Sequence, residues 1–70
     1  MSMHQAHARI ELEIARLAFS AQPVQDRTFI EGMIEMAEFL GQIPYQDAAC
    51  YREALAIKAG NRIVKLRIAA

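Results

Sequence analysis

Residues 8–21 read ARIELEIARLAFSA, and this stretch decides the fold. The apolar side chains that recur within it at spacings of three and four residues lie on one face of a helix: Ile10, Ile14, Leu17 and Ala21. No glycine or proline interrupts residues 4–21. The pattern therefore predicts a first helix over this range, with one apolar face that other helices must cover.

The first helix has a second apolar face, about half a turn away from the first. It consists of Ala8, Leu12, Ala15 and Phe19. Leaving Leu12 and Phe19 in water would forgo several kcal/mol of burial at ~25 cal/mol per Å². Either the other helices pack on both sides of the first helix, or this face is the interface of a homodimer or of a partner protein. We favour the interface.

Prolines and glycines divide the rest of the chain into two more helices. Pro23 lacks an amide donor and ends the first helix. The second helix has Asp26 near its start and Gly41 as its C-terminal stop. A wide apolar arc predicts that it is the central core helix. The arc consists of Phe29, Ile30, Met33, Ile34, Met36, Ala37 and Leu40.

The third helix begins near Pro44, which suits the first helical position, and we expect it to run to about Ala59. Its main apolar stripe consists of Ala48, Tyr51, Leu55 and Ala59, and a second stripe consists of Cys50, Ala54 and Ile57. This helix, like the first, is therefore apolar on two sides. The apolar neighbours of Cys50 predict a buried, inert thiol.

The last ten residues follow a different pattern. Gly60-Asn61 interrupts the helical periodicity, and residues 62–68, RIVKLRI, alternate apolar with basic side chains. This alternation predicts a strand or an extended basic tail, and the rival is a short fourth helix capped by Asn61. A strand would have to pair with a second chain. Residues 1–70 are thus predicted to be one all-α domain, a small bundle of three helices with a short C-terminal strand or extended basic tail.

Composition narrows the range of functions. A chain of 70 residues buries only ~60% of its surface on folding, so a partner subunit would help to stabilise it. Eight basic residues offset eight acidic ones, which removes the positive excess typical of proteins that hold nucleic-acid backbones. No stretch approaches the ~18 apolar residues of a membrane span. We therefore expect a cytoplasmic protein that does not contact a membrane.

Two charged surfaces are candidate binding sites. The acidic stripe, on the back of the second helix, consists of Glu31, Glu35 and Glu38. The basic segment, near the C-terminus, consists of Lys58, Arg62, Lys65 and Arg67. The acidic stripe is either a solvated helix face or a docking strip for a basic partner. The basic segment is a possible nucleic-acid contact, or else a set of cations that complement the end of the third helix.

Patterns for catalysis, metal binding and DNA recognition are weak. His4 and His7 stand one helical turn apart, but a closed metal site needs further ligands. Residues 37–43 resemble the spacing of a helix-turn-helix, although Asp47 falls where that motif requires an apolar residue. The chain has no glycine-rich phosphate loop and no nucleophile–base arrangement. We expect no catalytic residues, no metal, no cofactor and no enzymatic activity.

The sequence thus favours a non-enzymatic interaction or regulatory protein, a homodimer that binds a protein partner. In size and style it is similar to the short helical accessory proteins of phages, prophages and plasmids, which act by binding other macromolecules. The alternative is a small DNA-binding regulator that uses the basic segment or the imperfect helix-turn-helix.

Overall fold

The computed structural model describes residues 2–69, which form three α-helices and one short 3-10 turn. Helix α1 spans Met3–Arg16, and the 3-10 turn Leu17–Phe19 follows it directly. Helices α2 and α3 span Pro23–Phe39 and Tyr45–Ala69. No strand occurs within residues 2–69, so the prediction of an all-α fold with three helices is confirmed.

The start of α1 is fixed by a capping box. The Ser2 hydroxyl accepts a hydrogen bond from the Gln5 amide at 3.2 Å, and the Gln5 side-chain carbonyl accepts one from the Ser2 amide at 3.0 Å. These contacts satisfy amide donors near the start of the helix that have no partner within it. The helix therefore begins at Met3, one residue before the predicted start.

One buried serine orders the connection between α1 and α2. The Ser20 hydroxyl donates to the carboxylate of Asp26, in the first turn of α2, and accepts from the Gln22 amide at 2.9 Å. Pro23 occupies the opening turn of α2, where a missing amide donor costs nothing. The predicted break at Pro23 and the predicted acid in the first turn of α2 are both present.

The end of α2 is the glycine stop that the sequence predicts. Gly41 has a φ of 73°, in the left-handed region. Its amide donates to the Glu38 carbonyl at 3.0 Å, and the Gln42 amide donates to the Ala37 carbonyl at 2.8 Å. This pair of hydrogen bonds is a Schellman motif, which satisfies carbonyls that the last helical turn leaves without partners.

A single apolar cluster between the three helices forms the core. Its largest fully buried side chains are Ile10, Leu17, Ile34 and Leu55. Ala48 and Ala59 of α3 are also fully buried, and their small size lets α3 lie close to its neighbours. The predicted inner face of α1 is confirmed at Ile10, Ile14 and Leu17, but Ala21 lies beyond the 3-10 turn and is exposed. The predicted inner face of α3 is confirmed, with Tyr51 half-buried at the edge of the cluster.

The C-terminal segment differs from the prediction. Helix α3 continues through Gly60 and Asn61 to the end of the described residues, so they contain no strand, extended tail or separate fourth helix. A glycine costs a helix only about 1 kcal/mol relative to alanine. Past it, Arg62 Nε donates to the Ser20 carbonyl at 2.8 Å, and Leu66 is half-buried. These contacts with the bundle outweigh the local helix breakers.

Candidate protein-binding surfaces

An open apolar groove with a volume of about 660 Å³ lies between α1 and α2. Helix α1 lines it with Ala6, Arg9 and Ile10. Helix α2 and the residues after it line it with Thr28, Phe29, Gly32, Met33, Met36, Ala37, Leu40 and Gln42. Arg9 is the one charged residue in this set. Binding in the groove would therefore depend mainly on burial of apolar surface.

The groove exists because half of the apolar arc of α2 is uncovered. Ile30 and Ile34 are buried, but Phe29 is 62% exposed and Met36 is 56% exposed. Helix α2 thus contributes to the core, as predicted, but only part of its apolar arc is buried. Two neighbouring helices of a small bundle cover only a narrow stripe of α2, and α1 presents the small side chain of Ala6 to the remainder.

Gly32 leaves the surface of α2 bare in the middle of the groove. A Cβ atom built on Gly32 would have no neighbour within 4 Å, so a bulky group has room to approach the helix there. Met33 and Met36 lie beside it, and methionine side chains adapt their shape to different apolar partners. This combination suits the binding of an apolar side chain from another molecule.

Apolar surface continues from the groove toward the 3-10 turn. Phe29 also borders a second cavity, of about 460 Å³, together with Phe19, which is 85% exposed. The rim of this cavity is charged, since Glu13 pairs with Arg9 at 3.2 Å and with Arg16 at 3.4 Å. The apolar groove is thus flanked by a second cavity of mixed polar and apolar lining, and protein interfaces commonly combine an apolar centre with a polar rim.

The second face of α1 is uncovered within the chain. Its four residues Ala8, Leu12, Ala15 and Phe19 are all exposed. The arrangement in which the other helices pack on both sides of α1 is therefore wrong, because Leu12 remains 50% exposed. The face points away from the core, and its use as a dimer or partner interface stays a prediction.

Two carboxylates of the acidic stripe already have cationic partners. Glu31 pairs with Arg27 at 3.0 Å within α2, and Glu38 pairs with Arg52 of α3 at 2.8 Å. Among the described residues, no ion pair involves Glu35. The stripe is thus partly neutralised by the protein itself, and a docking role for it stays a prediction.

The basic segment lies along the second half of α3. Lys58, Lys65 and Arg67 are exposed, whereas the half-buried Arg62 is engaged with the Ser20 carbonyl. Three cations therefore remain accessible on the helix, and the fourth has a structural contact.

A polar cluster joins α1 to α3. The Tyr51 hydroxyl donates to Glu11 at 3.0 Å and lies 2.7 Å from Nδ1 of His7, whose Nε2 is 3.6 Å from Asp47. Partial burial, followed by the hydrogen bond and charge of Glu11 and the charge of Asp47, raises the pKa of Tyr51 to about 12. A tyrosine held in its protonated form is a hydrogen-bond donor and a poor general base at neutral pH. The cluster therefore serves to fix α1 against α3.

The single cysteine differs from its prediction. Cys50 is exposed, not buried, because it lies on a different side of α3 from the buried Ala48 and Leu55. Within residues 2–69, no group of three or more His, Cys, Asp or Glu side chains is arranged to hold a metal ion. His7 is instead engaged with Tyr51 and Asp47.

Comparison with protein-family models, curated proteins and solved structures gave no match. None of the helices within residues 2–69 is both long enough and apolar enough to cross a membrane. The function must therefore be inferred from the surfaces described above.

Proposed function

We propose that this protein is a non-enzymatic interaction protein whose groove between α1 and α2 binds one amphipathic helix of a partner protein. The apolar groove itself carries the proposal, because its 660 Å³ are lined by exposed Phe29 and Met36 and by few polar groups. We propose further that the protein acts in the cytoplasm, where a single cysteine would stay reduced.

The dimensions of the groove suit a helix as its occupant. Its α2 wall runs from Thr28 to Leu40, which is about 18 Å or about three helical turns at 1.5 Å per residue. A helix laid against α1 and α2 would bring the number of packed helices to four. Its apolar residues, repeated every three or four positions, would contact Phe29, Met33 and Met36.

Arg9 supports a preference for an acidic residue at the edge of the partner helix. Arg9 lines the groove and has a half-exposed side chain, whose guanidinium pairs with Glu13 at 3.2 Å. An acidic group on the incoming helix could share this guanidinium and so orient the helix, because charges at the rim of an interface contribute mostly to specificity. The apolar contacts would supply the affinity.

The biological effect of such a site would be to occupy or bridge the partner. A bound helix is withdrawn from its other contacts, so a small protein can regulate a larger one without any chemistry of its own. This agrees with the expected accessory or regulatory role.

The test is a selection from a library of amphipathic helices about 15 residues long, displayed with random apolar faces. Peptides selected on the wild-type protein should lose binding to Gly32→Leu, because the added side chain projects into the groove. They should retain binding to Glu35→Leu, which adds the same side chain on the acidic stripe. Selected peptides that bind wild type and Gly32→Leu equally, or a selection that yields none, would remove the proposal.

A small DNA-binding regulator is the second candidate. It is favoured by Lys58, Lys65 and Arg67, which are exposed along the second half of α3. DNA binding through these cations would weaken steeply as salt is added. A titration with duplex DNA over a range of salt concentrations tests it, and absence of binding at low ionic strength would eliminate this candidate.

A further inference from the structure

The outer side of α3 carries the repeat of a coiled-coil seam. Six residues are spaced alternately by four and three positions: Cys50, Ala54, Ile57, Asn61, Val64 and Ile68. In a heptad, a is followed by d after three residues and d by a after four. Ala54, Asn61 and Ile68 therefore take the a positions, and the other three take the d positions. Because α3 is continuous through Gly60, the short second stripe predicted from the sequence becomes a seam of six layers.

Most of this seam is uncovered in the single chain, where five of the six residues are exposed and Ala54 is half-buried. Ile57, Val64 and Ile68 are each more than half exposed. None of the six seam residues lines the groove between α1 and α2. The seam is thus a separate apolar surface, which the proposed groove partner would leave uncovered.

We infer that the seam binds the same seam of a second copy of this chain, as a parallel two-stranded coiled coil in register. Charge complementarity favours a second copy. Glu53 occupies a g position, and Lys58, five residues later, occupies an e position. In a parallel pair these positions are opposite each other, so Glu53 faces Lys58 of the partner subunit, and the symmetry repeats this contact.

Asn61 determines the orientation. In a parallel pair it meets Asn61 of the partner subunit, and the two side-chain amides can hydrogen-bond to each other. A single asparagine at an a position specifies register in this way. In an antiparallel pair with full overlap, Asn61 would face Ile57 of the partner subunit, leaving a polar group unpaired in an apolar layer. That arrangement would also bring the two copies of Lys58 together.

A short seam is sufficient for two chains to pair because α3 is already part of a folded bundle. The six layers extend over about 27 Å at 1.5 Å per residue, less than isolated coiled coils usually require. Isolated chains must also fold their helices on pairing, whereas α3 is already held helical by its contacts with α1 and α2. The entropy cost of forming the pair is correspondingly lower.

The first experiment uses the position of the single cysteine. In a parallel pair the two copies of Cys50 occupy one d layer, so a short bismaleimide should join them at low protein concentration. The double variant Cys50→Ser/Val64→Cys should cross-link equally well, because it moves the thiol to another d layer. Cys50→Ser/Ala49→Cys, which rotates the thiol about 100° around the helix, should not. Failure of both d-layer cysteines to cross-link would overturn the proposal.

The second experiment is light scattering over a wide range of protein concentration. Wild type should have twice the mass of the 7.9 kDa chain. Ile57→Asp should raise the dissociation constant roughly tenfold or more, because it places a charge in an apolar layer, while circular dichroism shows an unchanged helix content. Leu12→Asp, on the second face of α1, should dimerise like wild type. A monomeric wild type, or a dimer disrupted by Leu12→Asp and not by Ile57→Asp, would overturn the proposal.

Discussion

The Tyr51 hydroxyl makes polar contacts that link α3 to α1. It donates to Glu11 and lies within hydrogen-bonding distance of His7. Burial is the largest cause of the shift in the Tyr51 pKa, because it disfavours the charged phenolate. The hydrogen bond and charge of Glu11 and the charge of Asp47 act in the same direction. Together they raise the pKa of Tyr51 to about 12. One side chain on α3 therefore makes the packing of the two helices sensitive to alkaline pH.

We predict that stability falls between about pH 10 and about pH 12. The unfolded chain, with a tyrosine pKa of about 10, loses the Tyr51 proton first and then binds fewer protons than the folded chain. The free energy of unfolding consequently decreases as pH rises. The contribution of Tyr51 is fully present below pH 10 and is lost as pH approaches 12.

Urea unfolding at fixed pH values checks this prediction. In Tyr51→Phe, the free energy of unfolding should decrease less at alkaline pH, because this variant has no hydroxyl at position 51 to lose a proton. Tyr45→Phe should keep the full decrease, because Tyr45 is exposed at the start of α3. The same alkaline decrease in wild type and both variants would show that Tyr51 is not its source.

Substituting alanine for each of two glycines should change the stability of the protein in opposite directions. Gly32 has a helical backbone and open space around its missing Cβ, so Gly32→Ala should stabilise α2 by about 0.5–1 kcal/mol. Gly41 has a φ of 73°, so Gly41→Ala should destabilise the protein by about 1–2 kcal/mol. Urea unfolding of both variants gives the comparison, and a shift of the same sign in both would contradict the assignment.

At the scale of the elements, the Arg62 side chain helps to hold α3 against the rest of the bundle beyond Gly60. The Arg62 guanidinium donates to the Ser20 carbonyl at 2.8 Å. Arg62→Met keeps the length of the side chain but leaves this carbonyl without its donor, so we predict a loss of about 1–3 kcal/mol of stability. Lys65→Met, on an exposed position of the same helix, is the matched control and should change stability by less than about 0.5 kcal/mol.

Backbone chemical shifts test the continuity of α3 directly. The Cα shifts of residues 61–69 should be helical in wild type. In Arg62→Met they should move toward random-coil values, while those of residues 45–59 stay helical. Extended-type shifts for residues 61–69 in wild type would contradict a continuous helix.

Local signals predict most of the elements. The repeat of Ile10, Ile14 and Leu17 and the stop at Gly41 depend on neighbouring residues alone, and both appear as predicted. The end of α3 could not be predicted in this way. Gly60 and Asn61 favour a break, and the hydrogen bond that offsets it comes from Arg62 to Ser20, far away in the sequence.

The candidate sites, too, could be predicted only where the spacing of neighbouring residues is sufficient. The exposed face of α1 could be recognised because its apolar residues are opposite the core stripe. The groove could not, because Phe29 and Met36 share one apolar arc with the buried Ile34, and spacing alone does not show how much of an arc neighbouring helices cover. The exposure of Cys50 could not be predicted from the sequence for the same reason.

At the scale of the whole molecule, uncovered apolar surface is the property that most needs explanation. Three regions carry it: the groove between α1 and α2, the second face of α1 and the seam of α3. Exposed apolar patches on a small protein commonly mark binding sites. We assign the groove to a partner helix and the seam to a second copy, so loss of one interaction should leave the other intact.

Binding in the groove can be observed directly by NMR, in a titration of methionine-methyl-labelled protein with the tightest selected helix. Met33 and Met36 line the groove, whereas Met3 is exposed near the start of α1 and outside it. We predict that the methyl signals of Met33 and Met36 shift in proportion to the fraction bound and that the signal of Met3 does not. Unchanged signals from both groove methionines, or a shift confined to Met3, would contradict the claim that the groove is the binding site.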